Sequence, residues 1–282
     1  TAMWNLTMDR TNWQFGRVSI NILMLGICYK NRALPICWVL LDKKGNSSTQ
    51  ERIQLLSRFI RLFGTSRIKV LLADREFVGG DWFTWLREHG VPFNIRIKQD
   101  AITTNSRGLE VDIDGLFFHL KPCEELILSG CRQLWKEPVY LAAKRLANGE
   151  LLIIATSEPW PDRIKMYCYR WEIETLFECL KGRGFNLEDT RLSDRERLSK
   201  LLAALALAYC WAHKTGEWRC EQGDGIKAKS HGRLSKSLFR HGLELLQQIA
   251  FGVCYDAKTI KKCCRLMKPR PINAKNLGLF TS

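Results

Sequence analysis

The sequence predicts an α/β fold in which a mixed β-sheet is flanked by helices and carries a β-rich insertion. Apolar, β-branched runs open the chain, segments with helical periodicity alternate with further strand-like runs, and a stretch of short alternating runs interrupts this order. The 282 residues are 46% hydrophobic, which is enough for one large domain or for a core with an insertion.

Three strand-like runs come first. Residues 4–8 alternate and end at Asp9, and the polar residues after Asp9 predict a turn. Residues 17–29 and 35–41 are apolar and β-branched, with a polar turn at 30–32 between them. Three consecutive strands with short connections predict an antiparallel meander.

Helices and strands then alternate. A capping-box pattern at Ser48 starts a periodic helix that ends at Gly64. Residues 67–73 predict a buried strand that runs into Asp74, and residues 81–89 and 91–98 predict a short helix and another strand. The resulting order is β-β-β-α-β-α-β.

This order divides the chain into four expected segments. Residues 1–98 form the first part of a core, 99–150 the β-rich insertion with its short alternating runs, 151–250 the second part of the core, and 251–282 a basic tail. In the second part we expect a buried strand at 151–156, a helix from Trp160 to Gly182, an all-apolar buried helix at 194–213 and a last helix at 238–251.

The charge balance indicates a polyanionic partner. Lys and Arg number 44 against 29 Asp and Glu, giving +15 and a pI near 9.5. Nucleic acid is the first expectation and an acidic membrane surface the rival. No acidic residue follows Asp256, so the tail is either a phosphate-contacting arm or merely a solvated basic segment.

Several classes of protein are disfavoured. The longest apolar run, residues 201–212, is too short to span a membrane, and no signal peptide opens the chain, so we expect a cytoplasmic protein without a membrane partner. The 11 cysteines form no CxxC pair, which favours reduced, buried thiols over disulfides or zinc. Neither a GxxxxGK[ST] loop nor a GxGxxG turn is present, which disfavours a nucleotide-driven motor and a dinucleotide-dependent enzyme.

One helical segment combines polar residues at meaningful spacing. Tyr167, Arg170, Glu174 and Lys181 fall within an arc of about 60° at 100° per residue, whereas Glu172 lies about 140° from Tyr167. Taken alone, a solvated face with an i,i+4 ion pair explains this pattern. Glu172 is off the shared face, so we expect Glu172→Gln to be mild where Glu174→Gln is not.

Three carboxylates stand out by position: Asp9 and Asp74 at strand ends, and Glu174 on the helix after the sheet. Carboxylates are ligands for Mg²⁺ or Mn²⁺, and two such ions can drive phosphodiester chemistry. An Asp at a strand end is also often only a turn former. Glu76 and Asp42 are weaker alternative ligands, because each lies in a turn or loop.

The element order and these carboxylates resemble the ribonuclease H-like fold of the DDE transposases and integrases. The pattern Tyr-x2-Arg-x3-Glu-x6-Lys is similar, in type and spacing, to the signature of the "IS four" group of bacterial insertion-sequence transposases. Residues 9–13 and 71–75 resemble the segments around that family's two catalytic aspartates. The resemblance covers about residues 4 to 250.

The resemblance implies roles for single residues. It assigns two Mg²⁺ or Mn²⁺ ions to Asp9, Asp74 and Glu174, which would be the catalytic residues. The expected DNA-binding side chains are the cations and the hydroxyl of these motifs: Tyr167, Arg170, Lys181, Arg10 and Arg75. A planar Arg fork, a Lys point charge and a Tyr hydroxyl all suit phosphate oxygens.

The resemblance also implies a reaction and partners. The family's cut-and-paste pathway nicks double-stranded DNA at terminal inverted repeats, forms and opens hairpin ends, and joins them to target DNA, with the protein as a DNA-bound homodimer at the bacterial nucleoid. We expect an end-binding part to precede Thr1. A nuclease without strand transfer and an inactive DNA-binding relic remain alternatives.

Hairpin formation calls for an aromatic side chain that stacks on a flipped base. Trp82, Trp135 and Trp160 are the candidates, and each is also explained by ordinary packing. A pathway without a hairpin therefore stays open.

Overall fold

A computed structural model describes residues 2–15, 17–182, 184–230, 232, 234–253 and 256–268. The chain divides into two compact units, residues 1–177 and 178–282. Part of the predicted basic tail, including Arg270 and Lys275, lies outside the described residues. In the described part, no helix has the length and apolar character needed to cross a bilayer.

The first unit opens with the predicted meander. Strands β1 (Trp4–Phe15), β2 (Val18–Cys28) and β3 (Ala33–Leu40) pair antiparallel in sequence order. The turn between β2 and β3 is tight, since Lys30 and Asn31 both adopt positive φ angles of 48° and 64°. Local sequence patterns therefore predicted this part of the sheet correctly.

One boundary in the meander was predicted wrongly. β1 does not end at Asp9, because Arg10 to Phe15 continue the antiparallel ladder with β2. What ends near Asp9 is the parallel pairing on the other side of β1, whose last pair joins Met8 to Ala73. The polar residues after Asp9 look like a turn in sequence, but cross-strand hydrogen bonds hold them extended.

Helices and strands then alternate as predicted. Helix α1 (Thr49–Phe63) begins at Ser48 with a complete capping box and is followed by β4 (Ile68–Ala73), which pairs parallel to β1. Helix α2 (Gly80–Glu88) leads to β5 (Phe93–Ile97), parallel to β4. Residues of β4 and β5 are almost all buried, which explains their continuous apolar runs.

Short strands fill most of the expected insertion: β6 (Ile102–Thr104), β7 (Glu110–Asp112), β8 (Glu125–Ile127) and β9 (Arg132–Leu134). They lead into β10 (Glu137–Arg145) and β11 (Leu151–Thr156), which pair antiparallel. Residues 116–120 of the expected insertion form no strand, because a 3-10 helix at Ile113–Leu116 takes the chain out of extended geometry.

All these strands form one mixed sheet in the order β3-β2-β1-β4-β5-β11-β10-β9-β6-β7, with β8 beside β10. Parallel pairing is confined to β1, β4 and β5, at the middle of the sheet. The main hydrophobic core packs α1 and α2 against this sheet through side chains such as Phe59, Phe83 and Leu71. The predicted mixed α/β architecture with flanking helices is thus confirmed.

The helix that carries the spaced polar residues is not continuous. Helix α3 (Arg163–Tyr167) passes into a 3-10 segment at Cys168–Trp171 and then into α4 (Glu172–Lys181). The carbonyl of Arg170 accepts a hydrogen bond from the Thr7 hydroxyl of β1 at 3.3 Å, and that of Tyr169 lies 3.5 Å from Cys28 Sγ. Both carbonyls also accept from the Glu172 N–H within the segment, so the contacts with the sheet are made in addition to the internal bonds.

The second unit contains α5 (Arg195–Glu221), α6 (Leu238–Ala250) and α7 (Ala257–Leu266). Helix α5 is longer than predicted and is not buried all round, since Leu207 is 62% exposed. The helix at 238–251 is not the last, because Asp256 caps α7 by accepting from the Thr259 N–H at 2.7 Å. The many lysines of this stretch hid its helical pattern.

None of the ten cysteines that the structure describes forms a disulfide, and Cys254 lies outside the described residues. Burial holds for only some of them. Cys37, Cys179 and Cys263 are buried, whereas Cys123 and Cys131, in the turns around the short strands, are exposed.

Candidate active site

Two aspartates lie on neighbouring parallel strands of the sheet. Met8 of β1 pairs with Ala73 of β4, and Asp9 and Asp74 are the next residues of the two strands. Each carboxylate accepts the N–H of the residue after it, Arg10 and Arg75 respectively, at 2.7 Å. The strands therefore fix the backbones of both aspartates at one edge of the parallel pairing.

The carboxyl group of Asp9 has a raised pKa. Burial raises its pKa to about 6, against the opposing effects of the Arg10 N–H and the Arg170 charge, and the negative charges of Glu76 and Asp74 raise it further. A buried carboxylate among like charges is a place where a cation binds favourably.

Arg170 is the residue that joins the acidic groups. Its Nη1 lies 3.4 Å from Asp9 Oδ2, and its Nη2 lies 2.5 Å from Glu174 Oε1. The guanidinium is 7% exposed, and its Nε is buried without a hydrogen-bond partner among the described residues. Burial lowers the pKa of Arg170, but Tyr167, Glu174 and Asp9 raise it overall, so the side chain stays charged.

Tyr167 approaches the second aspartate. Its hydroxyl lies 3.5 Å from Asp74 Oδ1, at the long limit of a hydrogen bond. Burial raises the pKa of Tyr167 above its ordinary value, which keeps the hydroxyl protonated as a donor. Because side chains three residues apart eclipse in a 3-10 segment, the Arg170 guanidinium lies 5.8 Å from the Tyr167 ring centre.

Glu174 lies one helical turn beyond Arg170 on α4, and its side chain is 52% exposed. The geometry therefore brings Asp9, Arg170 and Glu174 into one contiguous group, with Asp74 and Tyr167 beside it. In the described part of the chain, no three acidic, His or Cys side chains are close enough to ligate one ion together. Asp9 and Glu174 meet through the guanidinium instead.

The other expected DNA-binding residues have different surroundings. Arg10 forms a bidentate pair with Glu76, with both N···O distances 3.2 Å, and also contacts Asn21 and Asn46. Arg75 is exposed in the turn after β4. Lys181, the last residue of α4, lies in the second unit, where its Nζ is 2.9 Å from Glu188.

The surroundings of three residues at the site, Glu76, Glu172 and Trp171, could not be predicted from the spacing of residues in the sequence. Glu76, weighed in sequence only as a lesser ligand, contributes negative charge at Asp9. Glu172 is buried, and its carboxylate accepts a hydrogen bond from the backbone N–H of Tyr29 at 2.9 Å. Trp171 is 44% exposed beside Arg170 and Tyr167, and its place in the signature segment was the only signal for it.

The three tryptophans named from the sequence fare differently. Trp82 is fully buried and stacks on Trp85, so it is not available to a base. Trp160 packs against the cluster around Met166, and Trp135 packs on Phe83 with 36% of its surface exposed.

Residues 6–211 match the family model described as the transposase DDE domain. The match spans well over half of the chain and includes Asp9, Asp74 and Glu174. The chain belongs to the transposase DDE domain family. A comparison with curated proteins gave no match.

Membership of this family establishes the type of function. DDE-domain proteins are transposases of DNA transposition and recombination, so the activity is of the transposase or nuclease type and DNA is the partner. Members of the family generally use divalent metal ions. The basic charge of the chain agrees with a polyanionic partner.

Proposed function

We propose that this DDE domain has a ribonuclease H-like core of the "IS four" type and cuts and joins DNA at transposon ends. The observation that carries the proposal is the bridge that Arg170 makes between Asp9 and Glu174, with Tyr167 facing Asp74. In this proposal the core comprises residues 1–98 and 151–250, with residues 99–150 inserted between its parts and residues 251–282 as a basic tail.

The acidic residues fit divalent ions in their chemistry. Hard carboxylate oxygens suit Mg²⁺ or Mn²⁺, and the burial that raises the pKa of Asp9 to about 6 marks a site where positive charge is needed. Asp9, Asp74 and Glu174 would hold two ions. Such ions stabilise the leaving oxygen and activate the attacking water or 3′-hydroxyl.

The remaining side chains would handle the DNA. Arg170 offers a fixed planar fork, and its charge also restrains the two carboxylates. Tyr167 keeps its hydroxyl proton and can donate it to a phosphate oxygen. Lys181, Arg10 and Arg75 would add charge along the strand, with Arg10 and Lys181 exchanging their present carboxylate partners for phosphates.

We further propose a cut-and-paste reaction at terminal inverted repeats by a DNA-bound homodimer in the bacterial cytoplasm. Water would attack the scissile phosphorus and displace the 3′-oxygen, which leaves as a 3′-hydroxyl. This hydroxyl would then attack a second phosphodiester and displace that bond's 3′-oxygen, which takes up the proton. If this attack forms a hairpin, Trp171 is the aromatic best placed to stack a displaced base, because it is exposed beside Arg170.

The direct test is nicking of supercoiled plasmid DNA with Mg²⁺ or Mn²⁺. Asp74→Ala should abolish nicking, whereas Asp81→Asn, an exposed aspartate on α2, should leave it unchanged. Nicking by Asp74→Ala, or nicking that persists in a chelator, would contradict the proposal.

A second assay separates transposition from hydrolysis alone. A pre-cut oligonucleotide with a free 3′-hydroxyl, carrying the inverted repeat that flanks the gene, is incubated with target plasmid. Joined products support the transposase, nicking without joining supports a nuclease, and the absence of divalent-ion binding in calorimetry supports an inactive DNA-binding relic.

A further inference from the structure

Helix α7 carries the densest unbalanced charge in the described part of the second unit. Lys258, Lys261, Lys262 and Arg265 fall within an arc of about 100° on this helix, and Lys268 follows one turn later. All five are exposed. No acidic residue occurs between Asp256 and the end of the chain.

These charges are not neutralised locally. Some exposed cations elsewhere in this unit are paired with carboxylates, as in Lys200 with Glu196 at 2.6 Å and Lys236 with Glu244 at 2.6 Å. Within the described ranges, Lys261, Lys262, Arg265 and Lys268 make no such ion pair. Mutual repulsion of this kind costs stability, so an external polyanion would be favoured at this surface.

The helix is held so that its charged face points to solvent. Cys263, on the opposite side of α7, is buried, and its carbonyl accepts from Trp211 Nε1 of α5 at 2.9 Å. Lys214 of α5 donates to the carbonyl of Leu266 at 2.8 Å. Two hydrogen bonds therefore fix α7 by its backbone and leave its cations available.

We propose that the basic face of α7, formed by Lys258, Lys261, Lys262, Arg265 and Lys268, is a binding surface for the phosphate backbone of duplex DNA. The identity of the partner rests on the proposed function. A duplex segment as long as this surface, about 15 Å, carries about nine phosphate charges, which is ample for five cations.

A membrane surface fits α7 less well than DNA. A helix that lies in a bilayer interface needs a broad free apolar face to insert. On α7, Cys263 is buried and its carbonyl is bonded to Trp211, and the apolar side chains of Ile260 and Met267 are only 38% and 37% exposed. Backbone binding to DNA needs only the exposed cations.

The test compares two full-length variants that lose the same charge. The first carries Lys261→Gln, Lys262→Gln, Arg265→Gln and Lys268→Gln. The control loses four cations away from α7, through Arg58→Gln, Arg61→Gln, Lys121→Gln and Lys200→Gln. Binding of a random-sequence fluorescent duplex is measured by anisotropy over a range of NaCl concentrations, in EDTA.

A plot of log K against log salt has a negative slope. Relative to the wild type, we expect this slope to become less steep by about 3 to 4 for the α7 variant and by less than about 1 for the control, because each lost phosphate contact reduces its magnitude by about 0.9. Equal slopes for the two variants, or no change in either, would overturn the inference. Circular dichroism checks that both variants remain folded.

Two further outcomes are distinguishable. Because the assay contains no metal, a failure of cleavage would reject the proposed function without affecting the slopes. Vesicles of phosphatidylserine and phosphatidylcholine provide the other arm. If the α7 variant loses vesicle binding while its duplex binding equals that of the control, the surface binds lipid and the inference is wrong.

Discussion

The carboxylate of Glu172 accepts a hydrogen bond from the backbone N–H of Tyr29 at 2.9 Å, so an acidic residue of the signature segment is buried against the turn between β2 and β3. Burial raises the pKa of Glu172 to about 7, although backbone hydrogen bonds from Tyr29, Asn31 and Arg32 oppose the shift. Glu172 therefore lies off the catalytic face, as its spacing predicts, but it is not a neutral surface position.

This burial gives an expected pH dependence for Glu172→Gln in the metal-free protein. In the folded protein the pKa of Glu172 exceeds the ordinary value of 4.5, so the folded state holds a proton that the unfolded chain loses. The stabilisation that results is fully present below about pH 4.5 and is lost as the pH rises through about 7. Glutamine does not ionise. We expect the variant to gain up to about 3 kcal/mol relative to the wild type between pH 4.5 and 8.

Urea unfolding at pH 4.5 and pH 8, in a chelator, measures this gain. Glu158→Gln, at an exposed position of the same unit, is the control and should show no such change. A stability difference that stays constant with pH would contradict the assignment of Glu172 as a buried, easily protonated carboxyl. Its effect on cleavage should remain small beside that of Glu174→Gln.

The bridge made by Arg170 leads to a second expectation. Lysine keeps the charge but has no fork, so Arg170→Lys cannot hold Asp9 and Glu174 together in the same way. We expect single-turnover cleavage to fall by about 100-fold, since small displacements of catalytic groups cost about that much. Arg170→Ala should also destabilise the fold by about 3 kcal/mol, because it leaves Asp9 buried without its cation.

Thermal unfolding separates these two effects. Arg170→Lys should unfold close to the wild-type temperature while its cleavage is reduced, and Arg61→Lys, at an exposed position of α1, serves as the matched control. Full activity in Arg170→Lys would show that the geometry of the fork is not needed.

Much of the candidate site could be predicted because its residues carry local signals. Asp74 follows a buried apolar strand, and the spacing of Tyr167, Arg170 and Glu174 is written in one short segment. The 3-10 segment at Cys168–Trp171 carries no local signal, and the Thr7 hydroxyl that bonds to its Arg170 carbonyl is 163 positions away in sequence. The partner of Glu172, Tyr29, is likewise 143 positions away in sequence.

The fold shows the same division. The meander and the strands β4 and β5 follow from periodicity, whereas the continuation of β1 past Asp9 depends on pairing with β2. The strands β6 and β9 are three residues long, too short for a periodic pattern to be recognised.

Close packing of α5 and α6 depends on two glycines. A Cβ atom on Gly216 would lie 1.9 Å from the carbonyl oxygen of Leu238, and one on Gly242 would lie 1.8 Å from that of Ala212. Backbone atoms cannot yield to such a clash without separating the helices. We expect Gly242→Ala to destabilise the second unit by about 3 kcal/mol or more, measured by thermal unfolding.

The control for this expectation is Gly225→Ala, because a Cβ atom there meets nothing within 4 Å and the backbone needs no positive φ. That variant should unfold like the wild type. If both variants do so, the two helices are not packed as closely as the glycine contacts require.

Trp171 provides the last expectation, which concerns the proposed stacking of a displaced base. Its ring is 44% exposed, lies 6.3 Å from the Tyr167 ring and has the Arg170 guanidinium 5.8 Å away. Stacking of a base on an aromatic ring is worth about 1 to 3 kcal/mol. Trp171→Ala should therefore slow cleavage at the DNA end by about tenfold or more, with partial rescue in Trp171→Phe.

An inverted-repeat duplex with 2-aminopurine near the cleavage position reports the stacking directly. In the wild type we expect protein binding to change the fluorescence of the displaced base, and in Trp171→Ala we expect this change to be lost. Phe251→Ala, at an 82% exposed aromatic of the second unit, controls for the loss of an exposed ring. An unchanged signal in Trp171→Ala would assign the base contact to another residue, with Trp135 next to be tested.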